Sequence, residues 1–355
     1  MAEVDPLVGR TLAERWRLEE VLGLGGMGTV YRAVELGVGR PVAVKVLHAS
    51  MLDNPEMVGR FEREAKVMSR LDHPNLVPLL AVEHDGAQHF LVMKFIEGES
   101  LSARLKGRGR HSVREALPVL AQLGSALDYL HARGIVHRDV KPGNVILSAA
   151  GHVTLLDFGI SRPRENRLTR VGALIGTPQY MSPEQAIGGE VDHRADLYAL
   201  GLIAYLLLTG EPPFGKADTF EAIRRTLFET PALASEKSEA VSEAVAHVLA
   251  RALAKEPRAR FDSAADFQQA LLDAFAVDST ERSMSGSARD VTEREEAQPT
   301  APVLPRVPDA AQPAPGPRPT TPRAASTARR VSPVAVAGVA IAAAALAAVL
   351  WRLFA

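Results

Sequence analysis

The hydrophobic and polar positions of the chain follow two different patterns, which divide its first 275 residues into two parts. Strand-like patterns dominate to about residue 47 and return near residue 76, whereas helix-length apolar patterns dominate from about residue 113. The clearest strand segments are residues 30–34, 41–46 and 76–95, and the clearest helical segments are 61–68, 117–123 and 197–208. We therefore predict an α+β fold with a small, mainly β lobe that includes one helix and a larger, mainly α lobe.

Beyond residue 275 the pattern is lost. Residues 277–333 contain ten of the 24 prolines of the chain, together with many alanine, serine, threonine and charged residues. Such a composition does not bury a core. We predict a disordered, partly extended linker over residues 276–332, acting as a plain spacer, with an SH3-type proline ligand as the alternative.

The last segment is apolar again. Residues 334–351 form an uninterrupted apolar run of 18 residues, half of them alanine, and Arg329 and Arg330 precede it. At ~1.5 Å per residue the run is just long enough to cross a bilayer core. We predict a transmembrane helix at residues 333–352, with the preceding domain on the cytoplasmic side of the cell membrane. A hydrophobic docking helix and a self-association segment are the alternatives.

Composition excludes several kinds of site. The chain has no cysteine, so disulfides, cysteine-ligated zinc and thiol chemistry are excluded. A formal net charge of −1 over 355 residues gives no general attraction to nucleic acid. Residues 1–15 lack a charged-then-apolar secretion signal and are interpreted as a short leader.

A glycine-rich turn lies between the first two strand segments. Residues 23–30 read G-x-G-x-x-G-x-V, and glycines allow a backbone to approach phosphates closely. A dinucleotide-binding turn would open a helix, but here a strand follows. The next strand contains Lys45. An isolated strand lysine is usually a solvated edge charge, but after this loop we expect Lys45 to contact phosphate.

The most informative segment is His137-Arg138-Asp139, followed by Lys141, Asn144 and then Asp157-Phe158-Gly159. It supplies two carboxylates, a lysine and an amide at fixed spacing. Phosphoryl transfer needs these groups to orient a hydroxyl, to hold phosphate oxygens and to ligate a divalent metal. With the glycine loop, this segment resembles the catalytic and metal-binding loops of eukaryotic-type serine/threonine protein kinases, in their bacterial, membrane-anchored branch.

The resemblance implies a bilobal kinase domain over residues 16–275 that uses ATP and Mg²⁺, with Mn²⁺ as a substitute ion. It implies that Asp139 orients the substrate hydroxyl, that Lys141 neutralises phosphate charge, and that Asn144 and Asp157 ligate the metal. The ATP site would consist of Leu22, Gly23, Leu24, Gly25, Gly26, Met27, Gly28, Thr29, Val30, Ala43, Lys45, Glu64, Met93, Lys94, Ile96 and Ile146. Within it, Met93 occupies the gatekeeper position.

A glutamate should fix the rotamer of Lys45. Glu64 follows Lys45 by nineteen residues, the spacing that the resemblance implies, and it shares a helix sector with Phe61, Ala65 and Met68. Glu62 competes for this role but points to nearly the opposite side of the helix. We expect a Lys45–Glu64 ion pair and a solvent-facing Glu62.

The resemblance also implies an activation loop from Asp157 to Glu184. Lys141 and Thr177 favour serine/threonine over tyrosine specificity, with the Thr177 hydroxyl bridging Asp139 and Lys141. Thr169 is either an autophosphorylation site whose phosphate pairs with Arg138 or an ordinary polar threonine.

Two structural supports complete the expected site. Glu184 should pair with Arg260, and Asp196 should hold the catalytic loop through backbone hydrogen bonds.

The expected function is that of a protein kinase that acts on serine and threonine in proteins and signals at the membrane, with homodimerisation for autophosphorylation. A pseudokinase scaffold and a small-molecule phosphotransferase are the rival interpretations. The presence of Lys45, Asp139, Asn144 and Asp157 disfavours the scaffold, and the complete activation segment disfavours the phosphotransferase.

Overall fold

A six-stranded antiparallel sheet forms most of the first lobe in the computed structural model, which describes residues 5–157, 178–215 and 218–277. Its strands are β1 (Thr11–Leu12), β2 (Trp16–Leu24), β3 (Gly28–Glu35), β4 (Arg40–Leu47), β5 (Leu79–Asp85) and β6 (Gln88–Lys94). Their spatial order is β1-β2-β3-β4-β6-β5, so β6 lies between β4 and the edge strand β5. Helices α1 (Ala49–Leu52) and α2 (Pro55–Met68) connect β4 to β5.

The alternation along β4 explains why Lys45 faces the interior of the molecule. Val42, Val44 and Val46 are buried on one face of the sheet, where they pack with Trp16 and other apolar side chains of this lobe. Because successive strand residues point to opposite faces, Lys45 lies on the other face. That face is covered by α2, whose apolar stripe buries Phe61, Ala65 and Met68.

The second lobe is mainly helical. Its helices are α3 (Leu101–Arg108), α4 (Val113–His131), α5 (Pro183–Ile187), α6 (Arg194–Thr209), α7 (Thr219–Phe228), α8 (Ala234–Lys237), α9 (Glu243–Ala252) and α10, described over residues 264–277. A small antiparallel sheet joins β7 (Glu99–Ser100), β8 (Val145–Leu147) and β9 (Val153–Leu155). Short 3₁₀ turns occur at Pro142–Asn144, Pro178–Tyr180 and Pro257–Ala259.

Helix α6 is the centre of this lobe, since every residue from Ala195 to Thr209 is buried. A helix that is apolar all round must be surrounded by protein, and α4 and α9 pack against it. The close contact with α9 requires Gly201, because a Cβ there would lie 2.9 Å from the Cβ of Ala252.

The two-lobed fold that the pattern predicts is confirmed. Within the described ranges, no helix combines the length and apolarity needed to cross a bilayer. The linker predicted over residues 276–332 overlaps the described end of α10 at residues 276 and 277. The rest of the linker and the apolar segment at residues 333–352 lie outside the described residues. Thr169 and Thr177 lie outside them too.

Candidate active site

Lys45 joins the two lobes at the bottom of the cleft between them. Its Nζ lies 3.1 Å from Oε1 of Glu64 on α2 and 3.3 Å from Oδ1 of Asp157, which follows β9. Burial alone would lower the pKa of Lys45, but the carboxylates of Asp157 and Glu64 outweigh it and raise that pKa. Lys45 is therefore a fixed cation between two carboxylates.

Glu64 and Glu62 differ as their helix positions require. The Glu64 side chain is 1% exposed, whereas that of Glu62 is 59% exposed and lies 4.0 Å from the ring of His89. The expected Lys45–Glu64 pair is present, and Glu62 faces solvent.

The segment from His137 to Asn144 forms a loop around Asp139. Lys141 Nζ donates to Oδ2 of Asp139 at 3.0 Å, and the Asn144 side-chain amide donates to the same oxygen at 3.2 Å. The Asn144 amide also donates to the backbone oxygen of Asp139 at 2.9 Å. The predicted base, its neighbouring cation and the predicted metal-binding amide therefore form one hydrogen-bonded group.

Asp196 at the start of α6 holds this loop from below. Its carboxylate accepts hydrogen bonds from the backbone N–H groups of His137 and Arg138, both at 2.8 Å. It also accepts one from the His131 ring at 2.8 Å. Because Asp196 is almost fully buried, these bonds fix the loop to the buried central helix of the lobe.

His137 fastens the loop to β9. The Asp139 N–H donates to Nδ1 of His137 at 3.2 Å, so the ring proton is on Nε2, which lies 3.1 Å from the Leu156 carbonyl. The Leu156 N–H in turn donates to the Asn144 carbonyl at 2.8 Å. These bonds set Asp157, the next residue, beside the catalytic loop.

Two residues of the site have left-handed backbone conformations. Arg138 has φ +65° and Asp157 has φ +41°. Such conformations are uncommon for residues other than glycine and cost about 1–3 kcal/mol each. Arg138 precedes Asp139, and Asp157 belongs to the predicted metal site. Hydrogen bonds between Arg138 and Asp196 and between Lys45 and Asp157 hold the two residues in place.

The glycine loop connects β2 to β3. A Cβ at Gly28 would collide with the backbone carbonyl oxygen of Val46 on the neighbouring strand. The Thr29 hydroxyl lies 3.2 Å from Nε2 of His48. Leu24, the last residue of β2 before the turn, is 80% exposed.

The predicted adenine pocket contains residues from both lobes. Ala43 and Met93 are directly opposite each other on β4 and β6, and Val30 pairs with Lys45 on β3 and β4. Ile146 lies on β8 in the other lobe. The Lys94 N–H donates to the Pro78 carbonyl at 3.0 Å, so any backbone recognition by Lys94 falls to its carbonyl group.

Glu184 and Arg260 form a buried pair below the site. The two guanidinium nitrogens lie 2.7 and 2.8 Å from the two carboxylate oxygens. The Arg260 side chain has no exposed surface, and its remaining donors reach backbone carbonyls of Ala254, Arg194 and Lys255. This pair ties the start of α5 to the turn after α9.

Several supporting residues were not predicted. The Gln185 amide donates to the Arg138 carbonyl at 3.0 Å, and the Asn75 amide donates to the Val153 carbonyl at 2.7 Å. His131 is the third partner of Asp196. Each contact joins residues at least 47 positions apart, so no local sequence pattern signals it.

Comparison with known proteins gives concordant matches. A protein kinase domain model matches residues 16–274. The serine/threonine-protein kinase Pkn1 of Myxococcus xanthus is 43% identical over 279 residues, which is 77% of this chain and 40% of that protein. PknB of Mycobacterium tuberculosis is 39% identical over 268 residues, which is 74% of this chain and 43% of that protein. The chain thus spans about two fifths of the length of these relatives.

A solved structure shows the same fold. The crystal structure of the Mycobacterium tuberculosis PknI kinase domain is similar with a TM-score of 0.59 and 31% identity. The similarity covers 75% of this chain and 98% of that domain.

Proposed function

The chain belongs to the protein kinase family, with a domain of the serine/threonine class, and from this premise we propose that it transfers the γ-phosphate of ATP to serine and threonine hydroxyls of proteins. The observation that carries the proposal is the contact between Lys45 and Asp157 at 3.3 Å. It joins the predicted phosphate-binding lysine of one lobe to the predicted metal ligand of the other. Phosphoryl transfer depends on positioning of this kind.

Asp139 orients the acceptor hydroxyl and accepts its proton. Its carboxylate is held by Lys141 and Asn144, so it is pre-positioned before any substrate arrives. Lys141 then lies where charge develops on the transferred group, and Lys45 holds the phosphates that remain.

Asn144 and Asp157 suit Mg²⁺, and Mn²⁺ could replace it. The Asn144 amide nitrogen and Oδ1 of Asp157 are engaged, and no described residue donates to Oδ1 of Asn144 or to Oδ2 of Asp157. Two oxygen donors of this kind match a hard cation that takes few protein ligands beside substrate phosphates. When bound, the ion would supply charge neutralisation between the phosphates.

Adenine binds between the lobes. Ala43 and Val30 line the pocket from the β lobe and Ile146 lines it from the helical lobe. The backbone of Ile96 and the carbonyl of Lys94 meet the adenine edge, with Met93 at the back. The loop from Leu22 to Thr29 covers the phosphates, and the close approach at Gly28 keeps that loop near β4.

Regulation involves Thr169, which we propose is autophosphorylated within a homodimer and pairs with Arg138. Thr177 would contact Asp139 and Lys141 beside the incoming substrate. The segment at residues 333–352 would anchor the enzyme in the cell membrane, with the kinase domain on the cytoplasmic side.

The test uses the purified full-length chain with Mg²⁺, γ-labelled ATP and a protein acceptor. We expect label in phosphoserine and phosphothreonine, and we expect Thr169 among the sites that mass spectrometry finds on the enzyme. Label only in phosphotyrosine, or ATP binding without any transfer, would overturn the proposal. A Thr169→Ala variant with unchanged turnover would remove the regulatory role alone.

A further inference from the structure

The turn of the glycine loop is joined to the residue that follows β4. The Gly25 N–H donates to the Gly28 carbonyl at 2.9 Å and closes the turn, and the His48 N–H donates to the Met27 carbonyl at 3.0 Å. The second bond extends the β3–β4 ladder by one position, because Gly28 is already opposite Leu47. The end of β4 therefore holds one arm of the turn.

The His48 side chain adds a contact of its own. Nε2 of its ring lies 3.2 Å from the Thr29 hydroxyl, and Thr29 is 5% exposed. His48 occupies the position before α1 where a side chain often caps the helix, but its ring makes no capping hydrogen bond. A buried hydroxyl without a partner is unfavourable. The ring therefore supports β3 rather than α1.

This contact lies on the face of the sheet away from the predicted ATP site. Thr29 is paired with Val46 on β4, and residues paired across neighbouring strands share a face. Val46 packs with Trp16 in the core of the β lobe, whereas Lys45 faces Asp157 across the cleft. His48 follows Val46 by two residues and continues the same face as Val46. The ring can therefore act on a bound nucleotide only through the loop that it holds.

Two further contacts keep the loop near β4. A Cβ at Gly28 would collide with the Val46 carbonyl, so the two backbones are in close contact. The half-buried Met27 side chain packs against the core that contains Phe61 and Met68 of α2. A loop held in this way has lost part of its conformational freedom before a nucleotide arrives. Less entropy is then lost on binding, which raises affinity.

We propose that His48 is a positioning residue that sets the affinity for the phosphates of ATP, by holding the glycine loop through Thr29 and Met27. This inference rests on the proposed function, and it assigns to the same site a residue that touches neither the nucleotide nor the protein substrate.

The experiment measures equilibrium binding of ATP with Mg²⁺, and of adenosine, to the full-length chain, together with steady-state kinetics on a protein acceptor. His48→Leu removes the ring nitrogens, and Thr29→Val removes the hydroxyl but keeps its shape. His48→Gln is the conservative variant, because its amide can meet the same hydroxyl. The matched control is His84→Leu, which removes an exposed imidazole from the edge strand β5.

We expect His48→Leu and Thr29→Val each to raise the Kd and the KM for ATP by about three- to tenfold, as for the loss of one hydrogen bond. The double variant should bind ATP no more weakly than either single variant, because both lose the same contact. The Kd for adenosine and the kcat should stay within about twofold of wild type, since adenosine has no phosphates for the loop to cover. His48→Gln should recover ATP affinity to within about twofold, and the control should match wild type.

Three results would overturn the inference. Unchanged ATP affinity in His48→Leu would show that the ring does not position the loop. An equal loss of ATP and adenosine affinity would show that the ring only supports the fold of the β lobe. Additive losses in the double variant would show that His48 and Thr29 act separately.

Failure of the proposed function is separately visible, because binding is measured without turnover. If the wild type binds ATP but transfers no phosphate to protein, the kinase proposal fails, and the binding data on the His48 and Thr29 variants still decide the inference. If the wild type does not bind ATP at all, both fail.

Discussion

Single backbone positions decide how closely the glycine loop approaches β4. Gly28 has no room for a Cβ because the Val46 carbonyl occupies that space. Gly107 in α3, in contrast, has no heavy atom within 4 Å of a built Cβ. The same chemical change should therefore have opposite effects at these two glycines.

Gly28→Ala is expected to destabilise the domain by about 1–3 kcal/mol, because β3 and β4 must separate, and to weaken ATP binding. Gly107→Ala should stabilise the domain by up to about 1 kcal/mol, because alanine is the better helix former. Urea unfolding and ATP titration measure both effects. Equal stability of the two variants would contradict the close approach at Gly28.

Lys255 is a second residue whose environment makes a measurable difference. Its Nζ donates to the Thr226 carbonyl at 2.6 Å and lies 4.5 Å from the centre of the Phe214 ring. Burial, with a smaller contribution from the charge of Arg260, lowers the pKa of Lys255 to about 8. Between pH 8 and the usual lysine pKa of about 10.5, the unfolded chain binds a proton that the folded chain does not.

The free energy of unfolding of the wild type should therefore rise with pH between about 8 and 10.5, relative to that of a Lys255→Met variant. Below pH 8 both states are protonated at Lys255, and the difference between the two proteins should be constant. Denaturant unfolding of both proteins from pH 7 to pH 10.5 measures the trend. A difference that stays flat, or that falls as pH rises, would show that Lys255 is not desolvated in this way.

At the scale of elements, one buried ion pair fixes α5 to the turn after α9. Arg260 has no exposed side-chain surface, so loss of Glu184 would leave a buried charge uncompensated. We expect Glu184→Ala to cost about 3–5 kcal/mol in the free energy of unfolding. Asp262→Ala, which breaks an exposed pair with Arg194, should cost less than about 1 kcal/mol. Similar losses in the two variants would mean that burial does not set the importance of the pair.

Sequence patterns predict elements better than they predict contacts between them. The strands that contain Val30 and Lys45 and the helix that contains Glu64 follow from periodicity, because side-chain direction repeats locally. The contact of Lys45 with Asp157 joins residues 112 apart, and the positive φ angles of Arg138 and Asp157 depend on bonds from other elements. Those features depend on the folded lobes.

The whole molecule consists, in its described part, of two cores with different roles. One core lies on the outer face of the six-stranded sheet, between Trp16 and Phe90. The other is continuous from α2 and Met93 through the helical lobe to α6 and α10. Because the second core contains residues of α2 and of the helical lobe, a shift between the lobes would move Glu64 and so change its contact with Lys45.

The membrane anchor is a prediction for the chain of 355 residues. Expressed in a bacterial host, the full-length protein should remain in the membrane fraction after carbonate washing, because residues 334–351 are apolar throughout. Deletion of residues 333–355 should release it. A full-length protein that is freely soluble without detergent would contradict the anchor.

Asp139 is the group that we propose orients the acceptor hydroxyl, and a measurement that separates ATP binding from phosphoryl transfer tests this role. Asp139→Asn should bind ATP and Mg²⁺ within about threefold of wild type, while its kcat should fall by about 10²–10⁴. Titration with labelled ATP and single-turnover transfer to a protein acceptor, on the same preparation, give both values. A variant that keeps near-wild-type transfer would contradict the proposed role of Asp139.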